Sequence, residues 1–155
     1  MAWTITPRWI SPANRNANPD GSDSRRWRVQ IVGTSDSTAE LSLQQLIDVS
    51  ELRTARGEAG GRLAITFLQY DISGLTNLSL RFDRSPDEVI LNAGAIVNAV
   101  KYDPPLSDTG TSDDGTGDLL VSTSGATSSG RFLLDIEFRL KPARAPAAIV
   151  DGTAL

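Results

Sequence analysis

Alternation of apolar and polar residues is the strongest pattern in this sequence. The segment RFLLDIEFRL, residues 131–140, places five apolar side chains on one face: Phe132, Leu134, Ile136, Phe138 and Leu140. Most of the residues between them are charged. A period of two is typical of an antiparallel strand with one face in the core and the other in water. We therefore predict a strand here, with Asp135 and Glu137 solvated on its outer face.

Three other segments repeat this alternation. They are RWRVQIV (26–32), RLAITFLQYD (62–71) and NLSLRFD (77–83), with inward sets Trp27, Val29 and Ile31, then Leu63, Ile65 and Phe67, then Leu78, Leu80 and Phe82. Shorter candidate strands are AWTIT, with Trp3 and Ile5 on one side, and the apolar runs DEVIL and AIVNAVKYD, which Asn92 and Gly94 separate. Helical spacing competes only in STAELSLQQLIDVSELRTAR, through Leu43, Leu46 and Ile47, and predicts one short helix or an irregular segment.

The stretches between the strands are rich in turn-forming residues, and the chain contains 13 Gly and 8 Pro. Short strands separated by such stretches predict an all-β fold, an antiparallel β-sandwich or a jelly-roll-like arrangement, with at most one short helix. A chain of 155 residues suits one domain. We place that domain at 1–141, with long loops at about 14–24 and 103–118, and interpret 142–155 as an extended C-terminal arm or tail.

Two of these loops carry oxygen-bearing side chains that a calcium ion would accept. NRNANPDGSD, residues 14–23, resembles part of an EF-hand loop, but that pattern needs an Asp and a Glu where this chain has Asn16 and Trp27. A turn is the favoured interpretation, because Asn, Asp and Gly suit turns. The second loop contains four carboxylates that could converge on calcium: Asp108, Asp113, Asp114 and Asp118. We favour the alternative, in which they lie in a solvated surface loop. We predict no metal and no cofactor.

The absence of certain residue types limits the possible chemistry. The chain has no Cys and no His, which excludes disulfides, thiolate nucleophiles, imidazole bases and the usual zinc sites. No carboxylate pair stands out, since Asp135 and Glu137 belong to an outer strand face, and Lys101 and Lys141 have no accompanying Ser-x-x-Lys pattern. We predict that the protein has no catalytic residues and is not an enzyme.

Charge and hydropathy restrict the possible partners. The formal net charge is −4 and the pI is near 4.8, so the field of the whole chain repels nucleic acid and anionic membranes. In SRRWRV, alternation puts Arg26 and Arg28 opposite Trp27, as on an ordinary strand, so we predict no nucleic-acid partner. No stretch approaches a membrane span, which predicts a soluble protein made in the cytoplasm. All but two of the 15 basic residues are Arg, which favours a partner protein.

The second half of the chain resembles the β-rich decoration, or cement, proteins of tailed-phage capsids. The resemblance covers about residues 76–141: the run NLSLRFDRSPDEVILNAGAIVNAVKYDPP, a variable loop rich in Asp, Gly and Thr, and DLLVSTSGATSSGRFLLDIEFRLK. The start Ala2-Trp3-Thr4 is also similar to the first strand of such proteins. Residues 14–61 have no counterpart in this comparison.

This resemblance implies a small jelly-roll-like sandwich, a homotrimer, that clamps major capsid protein subunits on the surface of the virion. The candidate partner contacts lie near the two ends of the chain: Trp3, Arg8, Trp9, Ile149, Val150 and Leu155. The alternatives are a phage tail or fibre component and a carbohydrate-binding sandwich. A sugar-binding module needs exposed aromatic residues, and the candidates that lie outside the predicted inward sets of the long strands are Trp3, Trp9, Tyr70 and Tyr102.

Overall fold

The computed structural model describes residues 3–11, 26–54 and 58–145, which form nine strands and one short 3-10 helix. The strands are β1 (Trp3–Ser11), β2 (Arg26–Ser35), β3 (Gln44–Ile47), β4 (Arg62–Ser73), β5 (Asn77–Phe82), β6 (Glu88–Ala93), β7 (Val97–Ser107), β8 (Leu119–Ser124) and β9 (Arg131–Lys141). The 3-10 helix is Val49–Glu51. The all-β prediction is confirmed, whereas the loop predicted at 14–24 lies outside the described residues.

The strands form two antiparallel sheets that share one hydrophobic core. The five-stranded sheet has the order β1-β2-β9-β4-β7, and the four-stranded sheet has the order β3-β8-β5-β6. The pairs are nested along the chain: β5 with β6, then β4 with β7, β3 with β8 and β2 with β9. Successive pairs alternate between the two sheets. This is the strand order of a jelly roll, with β1 added at one edge.

The predicted inward residues form the core. Trp27, Phe82, Phe132 and Phe138 are all fully buried. Both sheets contribute side chains to one continuous hydrophobic cluster, in which residues of β2, β4 and β9 pack against residues of β5 and β8. The rings of Trp27 and Phe138 stack with their centroids 6.2 Å apart, because their two residues are directly opposite each other in the β2–β9 ladder.

The segment in which helical spacing competed contains a strand and a single 3-10 turn. β3 pairs with β8, and Asp48 then caps the short 3-10 helix by accepting a hydrogen bond from the backbone N–H of Ser50. Of the residues on the supposed helical face, Ile47 is buried, but Leu43 is 46% exposed and has a positive φ of 48°. A left-handed backbone at Leu43 is incompatible with a helix through this residue.

The predicted inward set of β4 is wrong at Phe67. A bulge at Thr66 adds one residue to the strand, so that its alternation reverses between Ile65 and Phe67. Leu68 takes the inward position and is fully buried, while Phe67 lies on the outer face of the five-stranded sheet. A shift of one residue exchanges the two faces of a strand, so the remaining outward positions of β4 also differ from the simple pattern.

The predicted loop at 103–118 is shorter than expected, since residues 103–107 belong to β7. The remaining loop surrounds the guanidinium of Arg84, whose side chain is 5% exposed. Arg84 donates hydrogen bonds to both carboxylate oxygens of Asp108, at 2.9 and 2.6 Å, and to the carbonyl oxygens of Gly61, Thr111 and Gly115. Burial opposes its charge, but the hydrogen bonds and attraction of Asp108 outweigh this, so the pKa of Arg84 is raised.

This arrangement corrects the expectation of a wholly solvated loop. Asp108 and Asp118 are buried, with Asp118 accepting hydrogen bonds from the Gln45 side chain and the Val49 backbone N–H. Asp114 lies 3.4 Å from Arg84. The carboxylates therefore face protein donors, and within residues 3–11, 26–54 and 58–145 no three acidic side chains are grouped as a metal site requires.

Candidate ligand-binding cleft

An open cleft of about 720 Å³ lies on the outer face of the five-stranded sheet. Its floor comes from outward residues of β2 and β9, and its wall comes from β4 and β7. A volume of this size is within the range of about 300–1,000 Å³ that is common for sites that bind small ligands. We name this feature the outer-face cleft.

Irregular pairing between β4 and β7 produces the wall. Ile65 pairs with Leu106 and Phe67 pairs with Lys101, so the single residue Thr66 lies opposite the four residues 102–105 of β7. The longer stretch of β7 contributes Tyr102, Asp103 and Pro105 to the cleft. Bulges of this kind redirect side chains and recur beside functional sites. Here the bulge also turns Phe67 towards the cleft.

Tyr102 and Phe67 are the aromatic components of the cleft, and both are half-buried. Burial, with a smaller contribution from Tyr70, raises the pKa of the Tyr102 hydroxyl. The phenol is therefore neutral at physiological pH, and it can both donate and accept a hydrogen bond. Tyr102 lines the cleft, but it also packs against the hydrophobic core.

Ion pairs between β2 and β9 form the floor. Arg28 binds both oxygens of Asp135, at 3.0 and 2.7 Å, and Gln30 donates a further hydrogen bond to the same carboxylate. At the neighbouring outward position of β2, Nη1 of Arg26 lies 3.1 Å from Oε1 of Glu137. Neither arginine pairs with the β9 residue directly opposite it. Each pairs with the carboxylate that lies two positions before that residue in the sequence. We call this row of diagonal pairs the charge ladder.

Asp135 is an outer-face residue, as predicted, but the prediction that it is solvated is wrong. It is 6% exposed, because Arg28 and Gln30 close over it. Its hydrogen bonds from Arg28 hold the pKa of this carboxyl below its usual range, against the opposing effect of burial. The same hydrogen bond raises the pKa of Arg28. Both groups are charged at neutral pH, and each is already satisfied within the fold.

Arg139 ends the charge ladder, and no carboxylate in the described part of the chain forms an ion pair with it. It lies directly opposite Arg26 in the β2–β9 register, where two like charges repel each other. Its Nε atom is buried and has no hydrogen-bond partner in the described part of the chain. Lys101, on the facing wall, also has no ion pair among those residues. The lining carries four basic and two acidic side chains, and Asp135 beneath it neutralises Arg28, so these described residues leave one positive charge in excess within an acidic protein.

Of the sequence-predicted partner residues, the three that the structure describes do not line this cleft: Trp3, Arg8 and Trp9. Trp3 is 2% exposed, with its ring N–H bonded to the Ala39 carbonyl, so it is a core residue in this chain, and its role as a partner contact stays a prediction. Trp9 is half-buried and meets Trp27 edge-on at 5.6 Å, which anchors the end of β1. Arg8 is exposed on β1. Three candidates lie outside the described residues: Ile149, Val150 and Leu155.

Sequence reasoning missed the cleft because its two causes leave little trace in the sequence. A bulge at Thr66 has no Gly or Pro to mark it. Arg139 was visible as the first basic residue after Asp135 and Glu137 on the outer face of β9. Its significance depends on the strand that lies beside it, however, and a single strand pattern does not reveal that neighbour.

No protein-family model matches this chain, and a search of curated proteins finds no matching relative. Among the residues that the structure describes, no helix has the length and apolar character needed to cross a membrane.

Proposed function

We propose that this chain is a non-enzymatic structural protein that binds the outside of a tailed-phage capsid. In this role it joins neighbouring major capsid protein subunits, acts as a trimer and resides on the virion surface. The observation that carries the proposal is the jelly-roll strand order, which is the fold that the resemblance of residues 76–141 implies. Jelly rolls recur in viral capsid and lectin domains. Since one fold serves many functions, the role itself needs an experimental test.

The use of the buried charges supports a role without catalysis. All four buried charged residues of the described part are engaged in the fold: Arg84 with Asp108, Asp135 with Arg28, and Asp118 with Gln45 and Val49. Catalytic acids and bases usually have environments that prepare them for proton transfer to a ligand. Here the buried carboxylates accept hydrogen bonds from the protein itself. The same charges hold loops and strands together, which suits a rigid structural protein.

Particle binding tests the capsid proposal directly. Purified protein is added to particles of the phage that carries the gene, prepared from a strain in which the gene is deleted. We expect saturable co-sedimentation, a copy number that matches a symmetric set of capsid positions, and particles that resist heating better than undecorated ones. The proposal fails if deletion leaves the protein composition and heat resistance of the particles unchanged and the added protein does not sediment with them.

A carbohydrate-binding module, either on its own or within a tail or fibre component, is the second candidate function. The observation in its favour is the outer-face cleft, where Phe67 and Tyr102 stand beside charged and hydroxyl groups. Binding sites of small ligands commonly combine aromatic walls with a few polar groups. Glycan binding by the isolated protein, without any affinity for particles, would favour this function over capsid decoration.

A further inference from the structure

We propose that the outer-face cleft binds an acidic saccharide, with the carboxylate of the sugar held by Arg139 and Lys101. This inference extends the second candidate function by naming its ligand class. It does not depend on capsid binding, because a decoration protein would display the same cleft on its particle. Three features of the described residues support it: an uncompensated pair of cations, an aromatic wall, and a β7 segment that disfavours the addition of a peptide strand.

The charge argument starts from the end of the charge ladder. Arg28 and Arg26 have Asp135 and Glu137 as partners, but Arg139 has no acidic partner among the described residues and faces the positive charge of Arg26 across the ladder. A buried guanidinium N–H without an acceptor costs free energy. An incoming carboxylate reduces the repulsion between the two arginines. Guanidinium groups bind carboxylates through two parallel hydrogen bonds, so the group that best fits Arg139 is a carboxylate.

The opposite wall suits a sugar ring. Tyr102, Phe67 and Pro105 provide apolar surface, against which the C–H face of a pyranose ring can pack. Asp103 supplies acceptors for sugar hydroxyls, while Lys101 supplies a donor. A ligand with hydroxyls around a ring and one carboxylate uses all of these groups. A hydrophobic acid would leave Asp103 facing an apolar surface.

The structure of the wall favours a saccharide over an acidic peptide. Peptides commonly bind to sandwiches by adding a strand to an exposed sheet edge. β7 is the edge strand nearest the cleft, but the stretch of β7 that forms the wall contains Pro104 and Pro105, which have no backbone N–H. Strand addition along that stretch is therefore disfavoured. The remaining recognition uses side chains in a cleft of about 720 Å³, which matches a few sugar units.

Isothermal titration calorimetry with the full chain tests this inference. The probe is a trisaccharide of galacturonic acid, and its control is the same trisaccharide with every carboxylate methyl-esterified. We expect the acidic form to bind and the neutral ester to bind at least about tenfold more weakly, since the charged hydrogen bonds are lost. Raising the salt concentration should also weaken binding of the acid, because the cleft is open to solvent.

Two substitutions on one strand face locate the site. Arg139→Gln removes the unpaired charge in the cleft, whereas Arg131→Gln makes the same change on the same outward face of β9, at its other end. We expect Arg139→Gln to weaken acid binding about tenfold and Arg131→Gln to leave it unchanged. Thermal unfolding of both variants shows whether each remains folded. Lys101→Gln, on the other wall, gives a second measurement if Arg139→Gln is unstable.

Four results would overturn the inference. The first is that the acidic trisaccharide does not bind, and the second is that its neutral ester binds as tightly. The third is that Arg131→Gln weakens binding as much as Arg139→Gln does. The fourth is that a glutamate tripeptide binds as well as the sugar, which would show that the cleft responds to charge and not to the saccharide. None of these results bears on particle co-sedimentation, so the capsid proposal stands or falls separately.

Discussion

Asp135 illustrates at the scale of a single residue what a sequence pattern does and does not determine. Its position in the alternation of β9 correctly assigns it to the outer face. Its burial depends on Arg28 and Gln30, which lie more than 100 positions earlier in the chain and on a neighbouring strand. Alternation predicts on which face of the sheet a side chain lies. Whether neighbouring side chains bury it there depends on which strands lie next to each other. A charged residue on an outer face can therefore be a structural one.

Replacing Asp135 should destabilise the protein more than an ordinary surface change would. We expect Asp135→Ala to lower the free energy of unfolding by about 1 to 2 kcal/mol, since hydrogen bonds to charged groups are lost but Arg28 is partly solvated and screened. Ile136→Ala, on the core side of the same strand, should cost about 2 to 5 kcal/mol. Urea unfolding of both variants measures this. A cost for Asp135→Ala within about 0.5 kcal/mol would place it with simple surface residues.

The cost of this substitution should also depend on pH. The folded-state pKa of Asp135 is lowered, so its charged form adds stability that is present above the unfolded pKa, near about 4, and is lost as the pH falls through the lower folded-state value. The difference in stability between the wild-type protein and Asp135→Asn should therefore be larger at pH 6 than at pH 2.5. An equal difference at the two pH values would argue against a charged Asp135–Arg28 pair as its source.

At the scale of elements, the strands were predictable and the irregularities within them were not. The strands β2, β5 and β9 follow their alternation closely, because each has its apolar face in one continuous core. The bulge in β4 and the four-residue stretch of β7 opposite it belong to a pair of strands and not to either strand alone. For this reason, a sequence pattern with period two placed Phe67 in the core and failed to predict the outer-face cleft.

The loop that follows β7 depends on one buried ion pair. Arg84 and Asp108 have side chains that are 5% and 0% exposed, and Arg84 also binds three backbone carbonyls. Removing one partner leaves a buried charge uncompensated, so we expect Arg84→Met or Asp108→Asn to cost about 3 to 5 kcal/mol. Asp113→Asn, an exposed change in the same loop, is the matched control and should stay within about 0.5 kcal/mol.

Thermal unfolding, together with amide hydrogen exchange of the loop, measures this prediction. In the Arg84 and Asp108 variants, faster exchange should appear first at Gly110, whose N–H is bonded to Asp108, and at Gly117, which is packed beside the same pair. If the two variants unfolded like Asp113→Asn, the loop would be held by its backbone contacts alone.

For the whole molecule, the class of fold predicted from the sequence is confirmed, whereas the predicted function stays a proposal. Strands with one apolar face can bury that face when they form two sheets packed against each other. The jelly-roll order arises because successive nested pairs of strands belong to alternate sheets. The inward residues of β2, β5 and β9 were correctly predicted from the sequence for this reason. The partner contacts stay predictions: Trp3 is buried in the isolated chain, and Ile149, Val150 and Leu155 lie outside the described residues. Assembly is therefore best tested through the ends of the chain.

The C-terminal segment remains part of the folded domain for several residues after β9, although its prolines favour an end of the domain at Lys141. After β9, the carbonyl of Pro142 accepts a hydrogen bond from Arg62 at 2.9 Å, and that of Arg144 accepts one from the Ser112 N–H at 2.8 Å. Ala143 lies directly against Gly61, where an added Cβ would come within 2.5 Å of its backbone. Residues 142–145 thus belong to the folded unit, and the proposed arm that contacts a neighbour begins after Ala145.

Two truncations separate these roles. A chain that ends at Ala145 should unfold at nearly the temperature of the full protein, yet form fewer trimers by light scattering and bind particles more weakly, because Ile149, Val150 and Leu155 are removed. A chain that ends at Lys141 should in addition lose stability, by about 1 to 3 kcal/mol for the hydrogen bonds of the lost segment. If the shorter protein were as stable as the one that ends at Ala145, the contacts of residues 142–145 would be unimportant for the fold. If the protein ending at Ala145 assembled and bound as well as the full chain, residues 146–155 would have no part in assembly. Any trimer contacts would then come from the domain itself, where the exposed Arg8 and the half-buried Trp9 are the described candidates on β1.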